Sequence, residues 1–273
     1  MFWPALGRRP EMALARSRQV TVKSPAEIAK MRRAGRIVAE VLALVESELR
    51  PGVSTGELDA IAERHIHASG AVPSFKGYPG SNPRHPFPAS ICISIDSEVV
   101  HGIPGNRSVR AGQLVSVDAG AILDGWHGDA ARTFFVGDEP PEPIRTLIET
   151  TRLAMLAGIA AAVPGRHVED IGAAVEDIAR PHGYGVVRQY VGHGVGRRMH
   201  EEPQVPNYRT GWTGRRLEAG MCLAIEPMFT IGEPDTMVLS DDWTVVTRDG
   251  SLAAHFEHTI AITEHGAEIL TTV

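Results

Sequence analysis

The sequence predicts a mixed α/β domain of the α+β kind, built from two similar halves, and three observations predict it. Two long amphipathic helical stretches each end at a Pro-Gly pair, Pro51-Gly52 and Pro164-Gly165, and each is followed by a shorter helix. After each helix pair, an Ala-Gly step leads into an apolar-rich strand. Each of these strands closes on a carboxylate, Ala111 to Asp118 in one half and Ala219 to Glu226 in the other. Two copies are too few for a solenoid, so the recurrence fits a pseudo-twofold domain.

The elements follow in order. Ser24-Pro25-Ala26-Glu27 supplies an N-cap, a proline at the first helical position and a capping-box glutamate. Ile28, Met31, Ile37, Val38, Val41, Leu42 and Val45 then form a helical apolar stripe. Ser54-Thr55-Gly56-Glu57 caps a second helix that carries Leu58 and Ile61 and ends near Gly70. The prolines and glycines of Gly77 to Pro88 make a loop, and strand-like pieces follow at Ile91 to Ile95 and Glu98 to His101. Asp124-Gly125 signals a two-residue type I′ hairpin. Counting outward from that turn pairs Leu123 with Trp126, Gly120 with Asp129 and Asp118 with Ala131. In the second half, a helix over Glu142 to Ala162 precedes a shorter one bearing Val168, Ile171 and Ile178. With no low-complexity region or long linker, residues 23–273 read as one domain, with halves near 23–138 and 139–273. Residues 1–22 read as a flexible N-terminal extension.

Composition narrows the function. Hydrophobic residues make up 43% and charged residues 22%, the profile of a soluble globular protein. A formal net charge of −6 excludes a general affinity for nucleic-acid phosphates. The basic cluster Arg8, Arg9, Arg16 and Arg18 reads as a solvated tail. Two cysteines, Cys92 and Cys222, are too few for a disulfide framework and form no Cys-x-x-Cys pair, so they read as buried thiols of a reducing compartment. No stretch of Met1 to Gln19 is apolar enough for a signal peptide, and none elsewhere is long enough for a membrane span. The expected location is cytoplasmic.

The hairpin count puts Asp118 and Asp129 on one face as diagonal neighbours, about 7–8 Å apart at the backbone. Such a pair has three outcomes: two solvated acids, a dyad with one raised pKa, or a divalent cation held between carboxylates. Other residues bear on the choice. His193 stands among glycines in Gly192-His193-Gly194-Val195-Gly196. Glu226 and Glu257 occur in otherwise apolar strand-like segments, where an unpartnered carboxylate is costly. Four carboxylates and an imidazole are a natural ligand set for two adjacent divalent ions, which would neutralise the mutual repulsion and activate a water.

The chain resembles the methionine aminopeptidase family, in its bacterial type I form, from about Lys23 to the C-terminus. The resemblance rests on Val99-Val100-His101-Gly102-Ile103-Pro104, Val117-Asp118-Ala119-Gly120, His127-Gly128-Asp129 and Gly192-His193-Gly194-Val195-Gly196. It continues through His200-Glu201-Glu202-Pro203, Ile225-Glu226-Pro227-Met228 and Glu257-His258-Thr259. It implies the pita-bread fold, a pseudo-twofold α/β domain with helices over a curved antiparallel sheet. By this resemblance Asp118 binds one metal, His193 and Glu226 the other, and Asp129 and Glu257 bridge both. The ions would be Co, Mn, Fe or Zn, since carboxylate-rich ligation does not choose among them. Glu226 would also serve as general acid–base, His200 would stabilise charge on the scissile carbonyl, and His101 would contact the substrate near the scissile peptide. Phe75, Tyr78, Phe87, Cys92, Met199 and Trp243 would wall the methionine pocket.

The implied partners are nascent polypeptide N-termini at the ribosome, with no specific nucleic acid, no membrane and a monomeric chain. The loop Gly77 to Pro88 is longer than the compact family pattern, with additional residues around Gly80 to Pro86, and no Cys/His cluster marks an N-terminal zinc-binding extension. Two other readings use the same fold. Proline-specific peptidases of the prolidase and aminopeptidase P type share the five ligands but normally carry a large additional N-terminal domain. A non-catalytic ribosome- or RNA-binding relative would be expected to lose ligands and gain basic surface.

Overall fold

A computed structural model of the chain describes residues 20–273. The basic cluster at Arg8, Arg9, Arg16 and Arg18, and all but the last three residues of the expected extension, lie outside the described residues. Val20 and Thr21 pack on the fold, while Val22 is exposed. Val20 lies against an apolar cluster of the second half, and the Thr21 hydroxyl donates to Glu201 Oε2 at 2.5 Å.

Four helices stand where the sequence puts them: α1 (Pro25–Glu48), α2 (Thr55–Ala68), α3 (Glu142–Ala161) and α4 (Val168–Ala179). Ser24 with Glu27 and Ser54 with Glu57 form the two expected capping boxes, which satisfy backbone N–H groups that a helix start leaves free. A single 3-10 turn at Arg180–His182 and fifteen short to medium strands complete the secondary structure of the described residues. In chain order they are β1 (Val72–Pro73), β2 (Ile91–Ile95), β3 (Glu98–Val100), β4 (Leu114–Leu123), β5 (Trp126–Phe135), β6 (Gly185–Val186), β7 (Gly192–Gly194) and β8 (Glu201–Val205). There follow β9 (Cys222–Ile225), β10 (Met228–Thr230), β11 (Thr236–Val238), β12 (Val245–Thr247), β13 (Ala253–His255), β14 (Glu257–Thr263) and β15 (Gly266–Ile269).

Nine strands form one antiparallel sheet in the order β1-β4-β5-β14-β9-β7-β8, with β2 on β4 and β15 on β14. The central contact between halves is the β5–β14 pair. Thr259 binds across it, its hydroxyl donating to the Asp129 carbonyl at 2.8 Å while accepting from the Asp129 N–H at 3.0 Å. The β4–β5 hairpin has the register counted from Asp124-Gly125, with Asp118 opposite Ala131 and Gly120 opposite Asp129 and no bulge. Both turn residues have positive φ, 53° and 77°, as the type I′ geometry demands.

Strand alternation divides the sheet chemically. Val115, Val117, Ala119 and Ala121 point into the core with Ile91, Ile93 and the apolar stripe of α1 and α2. The second half repeats this, with Leu223, Ile225, Ile260 and Ile262 packed near Met155, Ile159 and Ile171 of α3 and α4. Helix α1 lies very close to β5, since a Cβ on Gly128 would stand 2.5 Å from the Gly35 backbone nitrogen. The opposite face of the sheet is left for the site. Two small three-stranded sheets, β13-β10-β6 and β11-β12-β3, flank it and carry His255 and the turn that bears Trp243.

Candidate metal centre and its pocket

Sheet register alone brings the candidate ligands to one face. Asp118 on β4 pairs with Ala131 on β5, and Ala131 pairs with Glu257 on β14. His258 pairs with Ile225, so Glu226, one residue past β9, continues the row opposite Glu257. Asp129 lies two residues from Ala131. His193 precedes Gly194, which pairs with Leu223, so its register position is opposite Ala224, two residues from Glu226. Because side chains alternate with period two, all five share a face.

The side chains converge there. Ligand atoms of Asp129, His193 and Glu257 lie within 4.8 Å of one another. His193 Nε2 is 3.4 Å from Glu226 Oε1 and 3.8 Å from Asp129 Oδ2. Its Nδ1 is 3.0 Å from the Gly194 carbonyl and donates to it, which leaves the Nε2 lone pair facing the acids. The Asp129 and Glu257 carboxyls face each other across the β5–β14 pair. Asp118 opens onto the same cavity.

Electrostatics marks the cluster as unfinished. Burial, reinforced by neighbouring carboxylates, holds Asp129, Glu226 and Glu257 well above the ordinary carboxylate range, and burial pushes Asp118 up to about 7. Burial drives His193 down to about 4, so it is neutral and able to ligate. Among the described residues, no lysine or arginine pairs with any of the four acids; the ion-pair neighbours of Asp129 and Glu226 are histidines. Asp118 Oδ1, Asp129 Oδ1 and Glu257 Oε1 are buried without a hydrogen-bond partner among the described residues. Buried oxygens in that state call for a cation. The residues fit a divalent metal: hard carboxylate oxygens and a neutral imidazole, with a surplus of negative charge to neutralise.

The six expected pocket residues, Phe75, Tyr78, Phe87, Cys92, Met199 and Trp243, form a single apolar cluster that lines the same cavity. Phe75 and Phe87 meet edge to face at 6.5 Å, and Phe87 and Trp243 at 5.1 Å. Cys92 pairs with Asp118 across β2 and β4, which places it on the site face of the sheet. His200 stacks obliquely 4.1 Å from His193, and its Nδ1 is 2.8 Å from the Tyr78 hydroxyl. His101 adopts φ +60°, and its ring lies edge-on to Tyr190 at 5.5 Å and Trp243 at 6.1 Å. Burial depresses both histidines well below the usual imidazole value, so both are neutral.

Sequence reasoning missed His255. Its Nε2 is 4.0 Å from Glu226 Oε2, both ring nitrogens lack a hydrogen-bond partner among the described residues, and burial pushes it down to about 3. The signal was available two residues before Glu257. In the run Ala253-Ala254-His255-Phe256, however, a lone histidine reads as core.

A curved sheet of two repeated halves, with an acid-rich cluster on its inner face, is the architecture of pita-bread metallopeptidases. Residues 29–264 match the model of metallopeptidase family M24, and the chain belongs to that family. It is 49% identical to the methionine aminopeptidase of Clostridium acetobutylicum over 253 residues, 92% of this chain and 98% of that relative. The crystal structure of methionine aminopeptidase from Thermotoga maritima superposes with a TM-score of 0.89 at 42% identity, covering 93% of this chain and all of that one. Prolidase from Pyrococcus furiosus shares the fold at a TM-score of 0.73 and 25% identity, covering 92% of this chain and 65% of its own.

Proposed function

We propose that this chain removes the initiator methionine from the N-termini of nascent proteins and peptides, favouring a small second residue. The observation that carries the reading is the placement of five candidate ligands at one end of an apolar cavity walled by Phe75, Phe87, Met199 and Trp243. Residues 23–273 act as one catalytic domain, as a monomer in the cytoplasm, on chains emerging from the ribosome.

Two divalent ions (Co, Mn, Fe or Zn) would be held by Asp118, Asp129, His193, Glu226 and Glu257, and when bound would supply a water acidified toward neutral pH and neutralise the clustered carboxylates. Glu226, whose Oε1 lies 3.4 Å from His193 Nε2, would act as a carboxylate that takes the proton of the attacking water and passes it to the leaving amine. The Tyr78 hydroxyl lies 2.8 Å from His200 Nδ1. With Tyr78 as the donor, His200 carries its proton on Nε2, which is then the group that stabilises the negative charge growing on the scissile carbonyl. His101, held rigidly against Tyr190 and Trp243, contacts the peptide beside the scissile bond. The methionine side chain is buried among aromatic rings, a favourable setting for a thioether.

The higher identity to methionine aminopeptidases than to prolidase favours this specificity within the shared fold. Incubation of metal-loaded protein with Met-Ala-Ser and Ala-Pro-Pro, followed by mass spectrometry, tests it. Release of methionine with Ala-Pro-Pro left intact is the expected result; preference for Ala-Pro-Pro would overturn the assignment.

A further inference from the structure

The loop between Tyr78 and Phe87 is built as a clip on the turn that carries Trp243. Its base is closed by the Gly77 N–H donating to the Phe87 carbonyl at 2.8 Å and the Phe87 N–H donating to the Tyr78 carbonyl at 2.9 Å. Its tip reaches the neighbouring turn. The Trp243 indole N–H donates to the His85 carbonyl at 2.8 Å. Asp242 Oδ2 lies 2.6 Å from His85 Nδ1 and accepts from Asn82 Nδ2 at 2.9 Å. Gly80 lies directly against the indole, where a Cβ would stand 2.7 Å from Trp243 Cζ2.

These contacts bear on one side chain. The His85–Asp242 pair is exposed, and exposed pairs add little to global stability. The indole they surround is 5% exposed and packs on Phe87, so its position defines the cavity wall. A long loop with its own internal bonds, ending on a substrate-facing ring, has the form of a functional loop.

We propose that the segment Gly80 to Phe87 is a specificity loop, in which Asn82, His85 and Asp242 are positioning residues that hold Trp243 and Phe87 as a fixed wall for the substrate's first side chain. The inference rests on the reading of this cavity as the methionine pocket. A fixed wall discriminates side chains of similar volume by shape, and a loosened wall does not.

The test uses the full metal-loaded chain and compares kcat and KM on Met-Ala-Ser and Leu-Ala-Ser. The double variant N82A/H85A removes the clip from the loop side and leaves the Trp243 turn intact. Its KM for Met-Ala-Ser should rise about fivefold with kcat nearly unchanged, and its preference for methionine over leucine should fall about tenfold. Asp242→Asn keeps an oxygen to accept both bonds and suits a positive φ of 67°, so it should retain wild-type selectivity. Unchanged selectivity in N82A/H85A overturns the proposal, and so does a loss of kcat and thermal stability with selectivity preserved. Met199→Ala, outside the loop, separates the two levels. A raised KM there with an unaffected N82A/H85A refutes the loop alone, whereas an unaffected Met199→Ala refutes the pocket reading beneath it.

Discussion

Stripped of metal by a chelator, this protein should lose thermal stability as the pH rises from 7 to 8. Asp129, Glu226 and Glu257 hold their protons well above the ordinary carboxylate range because they are buried among one another. In the unfolded chain the same groups are ionised above about pH 5. Their folded pKa values exceed the unfolded ones, so their contribution is complete on the acid side and is lost as pH rises through the folded values. Buried histidines act in the opposite sense. His193 is pushed down to about 4 and His255 to about 3, so their contribution is complete only above the imidazole's ordinary value of 6.5. Burial raises Cys92 and Cys222 from 9.0, and Tyr190 from 10.0, which adds loss in the same direction only at higher pH. The interval from 7 to 8 therefore isolates the carboxyls. Each proton kept by the folded state through it costs about 1.4 kcal/mol per pH unit. For a chain of this size about 1 kcal/mol moves Tm by about 2–4 °C, so Tm should fall by about 3–6 °C per retained proton. Circular-dichroism melts at pH 7.0, 7.5 and 8.0 measure it, with and without added Mn²⁺. A metal-free Tm that is flat or rising would refute the reasoning, as would an equal slope in the loaded protein.

Three further outcomes follow from local contacts. Lys23→Met strands Glu201, whose partner Nζ lies 3.0 Å away with both side chains 4% exposed, and should cost about 3–5 kcal/mol in urea denaturation. Gly125→Val places a β-branched residue at φ +77° in the β4–β5 turn and should cost about 1–2 kcal/mol, read as a lowered Tm. His200→Ala removes a donor aimed at the developing oxyanion, so kcat on Met-Ala-Ser should fall about 10²- to 10³-fold with KM little changed.

Much of this was legible in the sequence because the decisive features are local. Asp124-Gly125 set the turn, the turn set the register, and the register put Asp118 and Asp129 on one face. Capping boxes at Ser24 and Ser54 marked helix starts within a residue. The family resemblance offered Phe75, Tyr78, Phe87, Cys92, Met199 and Trp243 as a pocket wall, where local pattern alone would have left them in the core. What stayed hidden depends on tertiary approach. Nothing near His255 signals that β13 passes beside Glu226, and nothing near Asp242 signals that it meets His85, 157 residues away. The small sheets that carry these residues have strands of two or three residues, too short to show a periodic signal.

The central claim is that Asp118, Asp129, His193, Glu226 and Glu257 together hold catalytic divalent metal. The most direct measurement is the rate of Met-Ala-Ser cleavage by chelator-treated protein as Mn²⁺ is titrated back, with Asp129→Asn followed in parallel. Cleavage should be absent at first, return with added metal in the native chain and stay absent in the variant. Full-rate cleavage before any metal is added, or an equal response in Asp129→Asn, would contradict the account.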